Sequence, residues 1–187
     1  MNVHFNFTDF PVLATKRFIL RKAQESDCFD LFELYSDENV VKYIPLEPFN
    51  SVEDSKNEMN WYEKIYEDQS GLRWLIEEPT TQKGIGTCGF LNYEKAHNRI
   101  EIGYDLMPSY WGKGIMKETL SSIIHFAFAK MNMNKIEAKV DPENKSSIKL
   151  LEKLNFYQEG ILREHEFEKG KYVDLINFSI LRRDYFL

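Results

Sequence analysis

Only two cysteines, Cys28 and Cys88, occur in 187 residues. That is too few for a disulfide framework and suits a reducing compartment. Histidine is almost as scarce: His4, His97, His125 and His165 lie far apart and form no His-x-x-x-His pair, so no metal centre is expected. Long apolar runs are also missing. The longest, over residues 123–129, is broken by His125 and is too short to span a bilayer. The N-terminal residues lack the apolar centre of a signal peptide. There is no basic run and the net charge is −6, which leaves nucleic-acid binding without electrostatic support. An acidic surface does tolerate a cationic partner such as an amine or a basic protein tail. Repeats, low-complexity tracts and linkers are absent as well. A soluble cytoplasmic protein is expected, with no membrane or nucleic-acid partner.

What is present is a globule: 43% of residues are hydrophobic and 14% aromatic, enough for one domain spanning 1–187 with its core from about residue 16. A strand is expected over 16–22, where basic residues bracket Phe18-Ile19-Leu20. Ser26 reads as the N-cap of a helix whose apolar side is Phe29, Leu31, Phe32, Leu34 and Tyr35. After a polar passage through Pro45 and Pro48, Ser51 and Asp54 form a capping-box start for a helix to Glu67. From Leu72 the period becomes 2, with Leu72, Trp74 and Ile76 alternating with Arg73, Leu75 and Glu77. Further strands over 85–93 and 100–106 complete an antiparallel meander. In the last of them Ile100, Ile102, Tyr104 and Leu106 share one face, and Glu101, Gly103 and Asp105 the other.

A helix striped by Met116, Leu120, Ile123, Ala127 and Met131 follows, and then a strand over 136–140. If the helix is the crossover, that strand runs parallel to the last of the meander. Another helix opens in Asp141-Pro142-Glu143-Asn144. Asp141 and Asn144 both qualify as its cap, and Pro142 at a first helical position favours Asp141. Asn155 stands where a left-handed C-terminal residue belongs. Closing strands over 157–168 and 171–181 meet at Gly170. The fold class is α+β.

Between the meander and its following helix lies Met107-Pro108-Ser109-Tyr110-Trp111-Gly112-Lys113-Gly114-Ile115. Two glycines one residue apart let the backbone turn tightly and bring bare N–H groups to a ligand. The helix start leaves further N–H groups unpaired beside its positive dipole end. Together these suit a phosphate or diphosphate. Gly-Lys-Gly here is neither a phosphate-binding Walker loop nor a dinucleotide fingerprint, because the Lys-Ser/Thr of the first and the third glycine of the second are missing.

Three blocks carry a family likeness: Arg17 to Arg21 ahead of Asp27; Glu101-Ile102-Gly103-Tyr104 running through Pro108 to Gly114; and Asn144-Lys145-Ser146-Ser147 followed by Glu152-Lys153-Leu154-Asn155-Phe156. In their order and spacing the chain resembles the GCN5-related N-acetyltransferase (GNAT) superfamily, and within it the RimJ/RimL-type branch. Arg163, Gly170 and Asp174 fit the closing strands of that family. The resemblance implies the GNAT fold, a mixed and mostly antiparallel twisted sheet with helices on both faces. It implies acetyl-CoA as acyl donor, an amine acceptor, and assembly as a monomer or homodimer.

It also implies site roles. Backbone N–H groups of Trp111, Gly112, Lys113, Gly114 and Ile115, next to Tyr110, would hold the cofactor's diphosphate. Leu106 and Asn144 would meet its pantetheine arm. Ser147 would protonate the departing thiolate or hydrogen-bond its sulfur, and Glu101 or Glu166 would take the proton from the acceptor amine. Departures exist too. Ser109 replaces the Arg or Gln usual three residues before the first glycine, Asn155 replaces a glycine, and Leu150 stands where some members carry an acidic tyrosine.

Each residue has a plainer role available. Glu101 could be a solvated strand residue, Glu166 part of the acidic face with Glu164 and Glu168, and Ser147 an ordinary first-turn serine. Trp111 reads as packing, and Lys113 could face solvent. His165, beside Glu166, is another conceivable base. The expected activity is acetyl transfer to a protein or peptide N-terminal amine. A small amine such as a polyamine or antibiotic is the alternative acceptor, and a weakly catalytic acetyl-CoA-binding module is a competing class. Acceptor recognition is assigned to segments 40–50 and 165–172.

Overall fold

A computed structural model describes residues 7–186. The strand expected over 16–22 is shorter, β2 (Ile19–Arg21), and a further short strand, β1 (Leu13–Ala14), precedes it. A turn separates them: the Thr15 N–H donates to the Phe18 carbonyl at 2.9 Å. Helix α1 (Cys28–Tyr35) follows, and Ser26 is not its cap. Instead Gln24 and Asp27 form a capping box around a 3-10 turn over Glu25–Asp27. The Asp27 carboxylate accepts the Gln24 N–H at 2.7 Å and a two-pronged Arg21 pair at 2.7 and 2.8 Å. A carboxylate with three donors outcompetes a serine hydroxyl for the role.

The proline-marked passage hides a single helical turn, α2 (Glu38–Val41), capped by Asp37. Helix α3 (Val52–Glu67) starts at Ser51 with the expected capping box to Asp54.

Strands β3 (Leu72–Glu78), β4 (Lys83–Glu94) and β5 (Arg99–Leu106) form the antiparallel meander. Helix α4 (Ile115–Ala129) crosses over to β6 (Lys135–Val140), which pairs with β5 in parallel. Helix α5 (Lys145–Lys153) leads to the hairpin of β7 (Tyr157–Glu168) and β8 (Lys171–Leu181), and α6 (Arg182–Tyr185) closes the described chain. Lys169 and Gly170 both have positive φ (49° and 79°), as a two-residue hairpin turn requires. The sheet order is β1-β2-β3-β4-β5-β6-β8-β7.

Asn144, rather than the favoured Asp141, caps α5. Its side chain accepts the Ser147 N–H at 3.1 Å, while Asp141 accepts the Glu143 N–H at 2.7 Å and closes a separate turn one step earlier. Asn155 takes the left-handed conformation (φ 62°) after the helix, as expected.

Both faces of the sheet are covered. One carries Leu72, Trp74, Ile76, Ile100 and Ile102 against Leu120, Ile123 and Ala127 of α4. The other packs Leu75 against Leu31, Leu34 and Tyr35 of α1 and Tyr62 of α3. The alternation of β3 therefore separates two buried faces. Arg73, on the second, keeps only 6% of its surface exposed.

The parallel pair is short. β5 and β6 match at Arg99–Lys135, Ile100–Ile136 and Glu101–Glu137 and then part. Beyond that point β5 stays with β4 as far as Leu106, and β6 stays with β8 as far as Val140. The sheet opens between them.

Candidate active site

Beside that opening lies the glycine passage. A 3-10 turn over Pro108–Tyr110 ends β5, and Gly112 and Gly114 then adopt φ of 73° and 72°, a left-handed backbone that glycine takes without strain. Among the described residues, no acceptor meets the backbone N–H of Gly112, Lys113, Gly114, Ile115, Met116 or Lys117. The bare run therefore begins one residue later than expected and reaches two further. Trp111 N–H is committed to the Pro108 carbonyl at 3.1 Å and Tyr110 N–H to Met107 at 2.9 Å. Six unpaired donors at the head of a fifteen-residue helix make an anion cradle.

The supports of this cradle come from afar. Glu118 of α4 accepts Thr15 Oγ1 at 2.7 Å, Arg17 N–H at 2.8 Å and Arg17 Nε at 2.7 Å, while Arg17 Nη1 donates to the Lys113 carbonyl at 3.2 Å. Burial alone would raise the Glu118 carboxyl. The donors from Thr15 and Arg17 outweigh it and hold the group below the usual glutamate range. Arg17 thus brings a guanidinium to a passage that lacks its own arginine at Ser109. The Lys113 ammonium sits 5.1 Å over the Tyr110 ring, so Tyr110 acts as a platform. Trp111 is half exposed, and its indole N–H donates to the Leu106 carbonyl at 2.7 Å. That carbonyl, expected to be open to a ligand, is already satisfied.

At the opening itself Tyr104 of β5 meets Ser147 in the first turn of α5, Oη to Oγ 2.6 Å. Burial pushes the Tyr104 phenol up to about 12, against a smaller opposing effect of the Ser147 bond. A phenol that keeps its proton at neutral pH can donate to Ser147 and leave the serine proton directed elsewhere. Asn144 Oδ1 is engaged by Ser147 N–H and by Ser146 Oγ at 2.9 Å, so its oxygen positions the turn.

The two carboxylates lie together on the opposite face. Glu101 pairs with Lys139 of β6 at 3.1 Å and accepts from Asn92 at 3.1 Å; Glu166 reaches the same ammonium at 4.0 Å. A bulge between Leu162 and Glu166, with Glu164 at φ 47°, brings β7 into this position. Glu101 lines a cleft of about 460 Å³ together with Asn92, Glu137, Lys139, His165 and Asn177, and Glu166 adjoins it through Lys139. His165 thus stands with the candidate bases. Segments 40–50 and 165–172 also meet, through Lys169 Nζ donating to the Val41 carbonyl at 2.5 Å.

Residues 17–157 match the family model for the acetyltransferase (GNAT) domain. The chain belongs to the GNAT acetyltransferase family. It is 40% identical over 173 residues to the uncharacterized N-acetyltransferase p20 of Bacillus licheniformis, covering 92% of this chain and 97% of that one. It is 27% identical over 167 residues to the spermidine N(1)-acetyltransferase of Vibrio cholerae, covering 89% and 94%. The crystal structure of a spermidine N-acetyltransferase from Vibrio cholerae in complex with CoA and spermine superposes with a TM-score of 0.78 at 26% identity, covering 91% and 99%.

As a GNAT N-acetyltransferase of the RimJ/RimL type, the chain uses acetyl-CoA. The six bare N–H groups fit a diphosphate by charge and by donor type. Sequence reasoning singled out the glycine passage, Ser147 and both carboxylates as candidates, but it gave no role to Arg17, Glu118, Tyr104 or Arg73. The pattern Thr-x-Arg before β2 and Glu four residues after Gly114 was the only available trace of the first two. Among the described residues, no helix is long and apolar enough to cross a membrane.

Proposed function

We propose that this GNAT enzyme acetylates the α-amine at the N-terminus of a peptide or protein in the reducing cytosol. Acetyl-CoA supplies an acetyl group activated as a thioester. The run of bare N–H groups from Gly112 to Lys117, next to the parting of β5 and β6, carries this assignment. These groups hold the diphosphate at one end of the opening and so direct the reactive end toward Tyr104, Ser147 and Glu101.

An ammonium has no lone pair, so the acceptor first gives up a proton to Glu101 or Glu166, directly or through a water. Lys139 is shared by both carboxylates and holds the pair in place. On the other face Ser147 Oγ, steadied by Tyr104 Oη, delivers a proton to the departing sulfur.

A single amine is favoured over a polycation because the cleft's carboxylates are already matched. Glu101 is held by Lys139, Glu137 by Lys135 at 2.9 Å, and Glu94 by Arg99 at 2.5 Å. A polyamine site needs uncompensated acidic groups. The second reading, a polyamine acceptor, draws support from the 27% identity to a spermidine acetyltransferase. Thiol release from acetyl-CoA, measured with alanine- and serine-initiated peptides and with spermidine, separates the two. Turnover confined to spermidine transfers the assignment to the second, and acetyl-CoA binding without release across the panel reduces the protein to a sensor.

A further inference from the structure

Arg73 is a buried cation with a job left over. It springs from the second residue of β3, and its side chain runs across β4 and ends over β5. Gly103 clears the end of that path, where a Cβ would lie 2.8 Å from Arg73 Nη1; on β4 a Cβ at Gly89 would meet the Leu72 carbonyl oxygen at 2.2 Å before it met Arg73 Cδ at 3.0 Å. These glycines are paired directly across β4 and β5. At the far end Nε and Nη2 donate to Thr87 Oγ1 at 3.1 and 2.9 Å, and Nη2 also forms an ion pair with Asp105. Tyr35 Oη braces the same pair, 2.9 Å from Thr87 and 3.1 Å from Asp105. Nη1 has no acceptor among the described residues.

Arg73 as a whole is more than nine-tenths buried, yet Nη1 is neither paired among the described residues nor sealed from solvent, so it remains free to donate to a ligand. Its location gives that nitrogen a use. Gly103 is the second residue past the last β5–β6 pair, on the face that carries Glu101. The spare donor therefore lies at the mouth of the opening, on the side from which the acceptor approaches its base.

We propose that Arg73 determines acceptor specificity: Nη1 donates to the carbonyl or carboxylate oxygen borne on the carbon next to the amine-bearing carbon, so α-aminoacyl groups are preferred over simple amines and polyamines. This rests on the acetyltransferase reading of the site. A rigid planar donor suits such an oxygen. Every peptide N-terminus has one. A polyamine has none, and it brings added positive charge toward a cation.

The test compares L-alaninamide with isopropylamine, which has the same branching but no carbonyl, together with spermidine. Wild type is set against Arg73→Lys, which keeps a cation beside Asp105 but loses the fork, and against the double variant Arg73→Gln/Asp105→Asn, which removes both charges together. Thermal melts establish folding. Wild type is expected to favour alaninamide, and the kcat/KM ratio of alaninamide to isopropylamine should fall about 10- to 100-fold in Arg73→Lys, as loss of one hydrogen bond to a charged donor implies. Isopropylamine turnover should stay within about twofold in that variant.

An unchanged ratio, an equal loss for both amines, or a wild-type preference for isopropylamine or spermidine overturns the proposal. Calorimetric titration of an alanine-initiated peptide into the CoA-loaded protein keeps the two claims apart. Binding that depends on Arg73 without thiol release refutes the transferase reading and leaves this inference standing. Thiol release with a variant-independent ratio does the reverse.

Discussion

Replacing Gly112 by alanine separates strain from ligand contact. The residue sits at φ 73°, and a Cβ there would meet nothing within 4 Å, so no clash confuses the result. The conformational cost alone is about 1–2 kcal/mol. Spread over a chain of this size, that corresponds to a drop in Tm of roughly 2–8 °C. Gly170 is the matched control, since it has φ 79° and equally open surroundings but lies in the β7–β8 turn. Gly170→Ala should lose similar stability.

Coenzyme affinity should divide the two. At Gly112 the new methyl enters the space a diphosphate needs, and relaxation of the strained turn tilts neighbouring N–H groups. Losing one charge-assisted hydrogen bond weakens binding about 10- to 100-fold. Calorimetric titration with CoA measures this, and titration with acetylpantetheine, which lacks the diphosphate, should show a much smaller difference. If Gly112→Ala and Gly170→Ala bind CoA alike, the cradle assigned to residues 112–117 is wrong.

Ser147→Ala should lower kcat about 10²- to 10⁴-fold while leaving acetyl-CoA affinity nearly intact, and Tyr104→Phe should do the same more mildly; parallel loss of affinity in steady-state and binding assays would recast both as binding residues. Glu101→Gln and Glu166→Gln, compared by pH–rate profiles, identify the base: the variant that loses the acidic limb of kcat/KM has lost it. Glu118 gives a stability test. Its folded-state carboxyl titrates below the ordinary glutamate value near 4.3, so its contribution is complete above that pH and disappears as pH falls through the folded value. Glu118→Gln should therefore melt below wild type at pH 7, and the gap should close toward pH 3 in thermal scans.

Features fixed by neighbouring residues were legible in the sequence. Ser51 with Asp54, the left-handed Asn155 and the Gly170 turn all depend on groups a few positions apart. Their local chemistry decides them. The glycine passage was legible for the same reason, because two glycines before an apolar stripe leave few other conformations. What escaped depends on distant partners. Ser26 lost the cap to Asp27 because Arg21 arrives from β2. The burial of Arg73 follows from α1 and α3 closing over the second face, which a period of 2 within β3 does not reveal. Arg17 reaches Glu118 across 101 positions. The Leu106 carbonyl was filled by Trp111 only because the 3-10 turn at Pro108 swings the indole back.

The bare face of Gly103 has an evolutionary corollary. A methyl there displaces the arginine, and without the arginine that position has no other close neighbour to keep it bare, whereas Gly89 is held small by the Leu72 carbonyl in either case. Positions 73 and 103 should thus change hands as a pair among descendants of a common ancestor, and lineages that fill the slot should have turned to different acceptors.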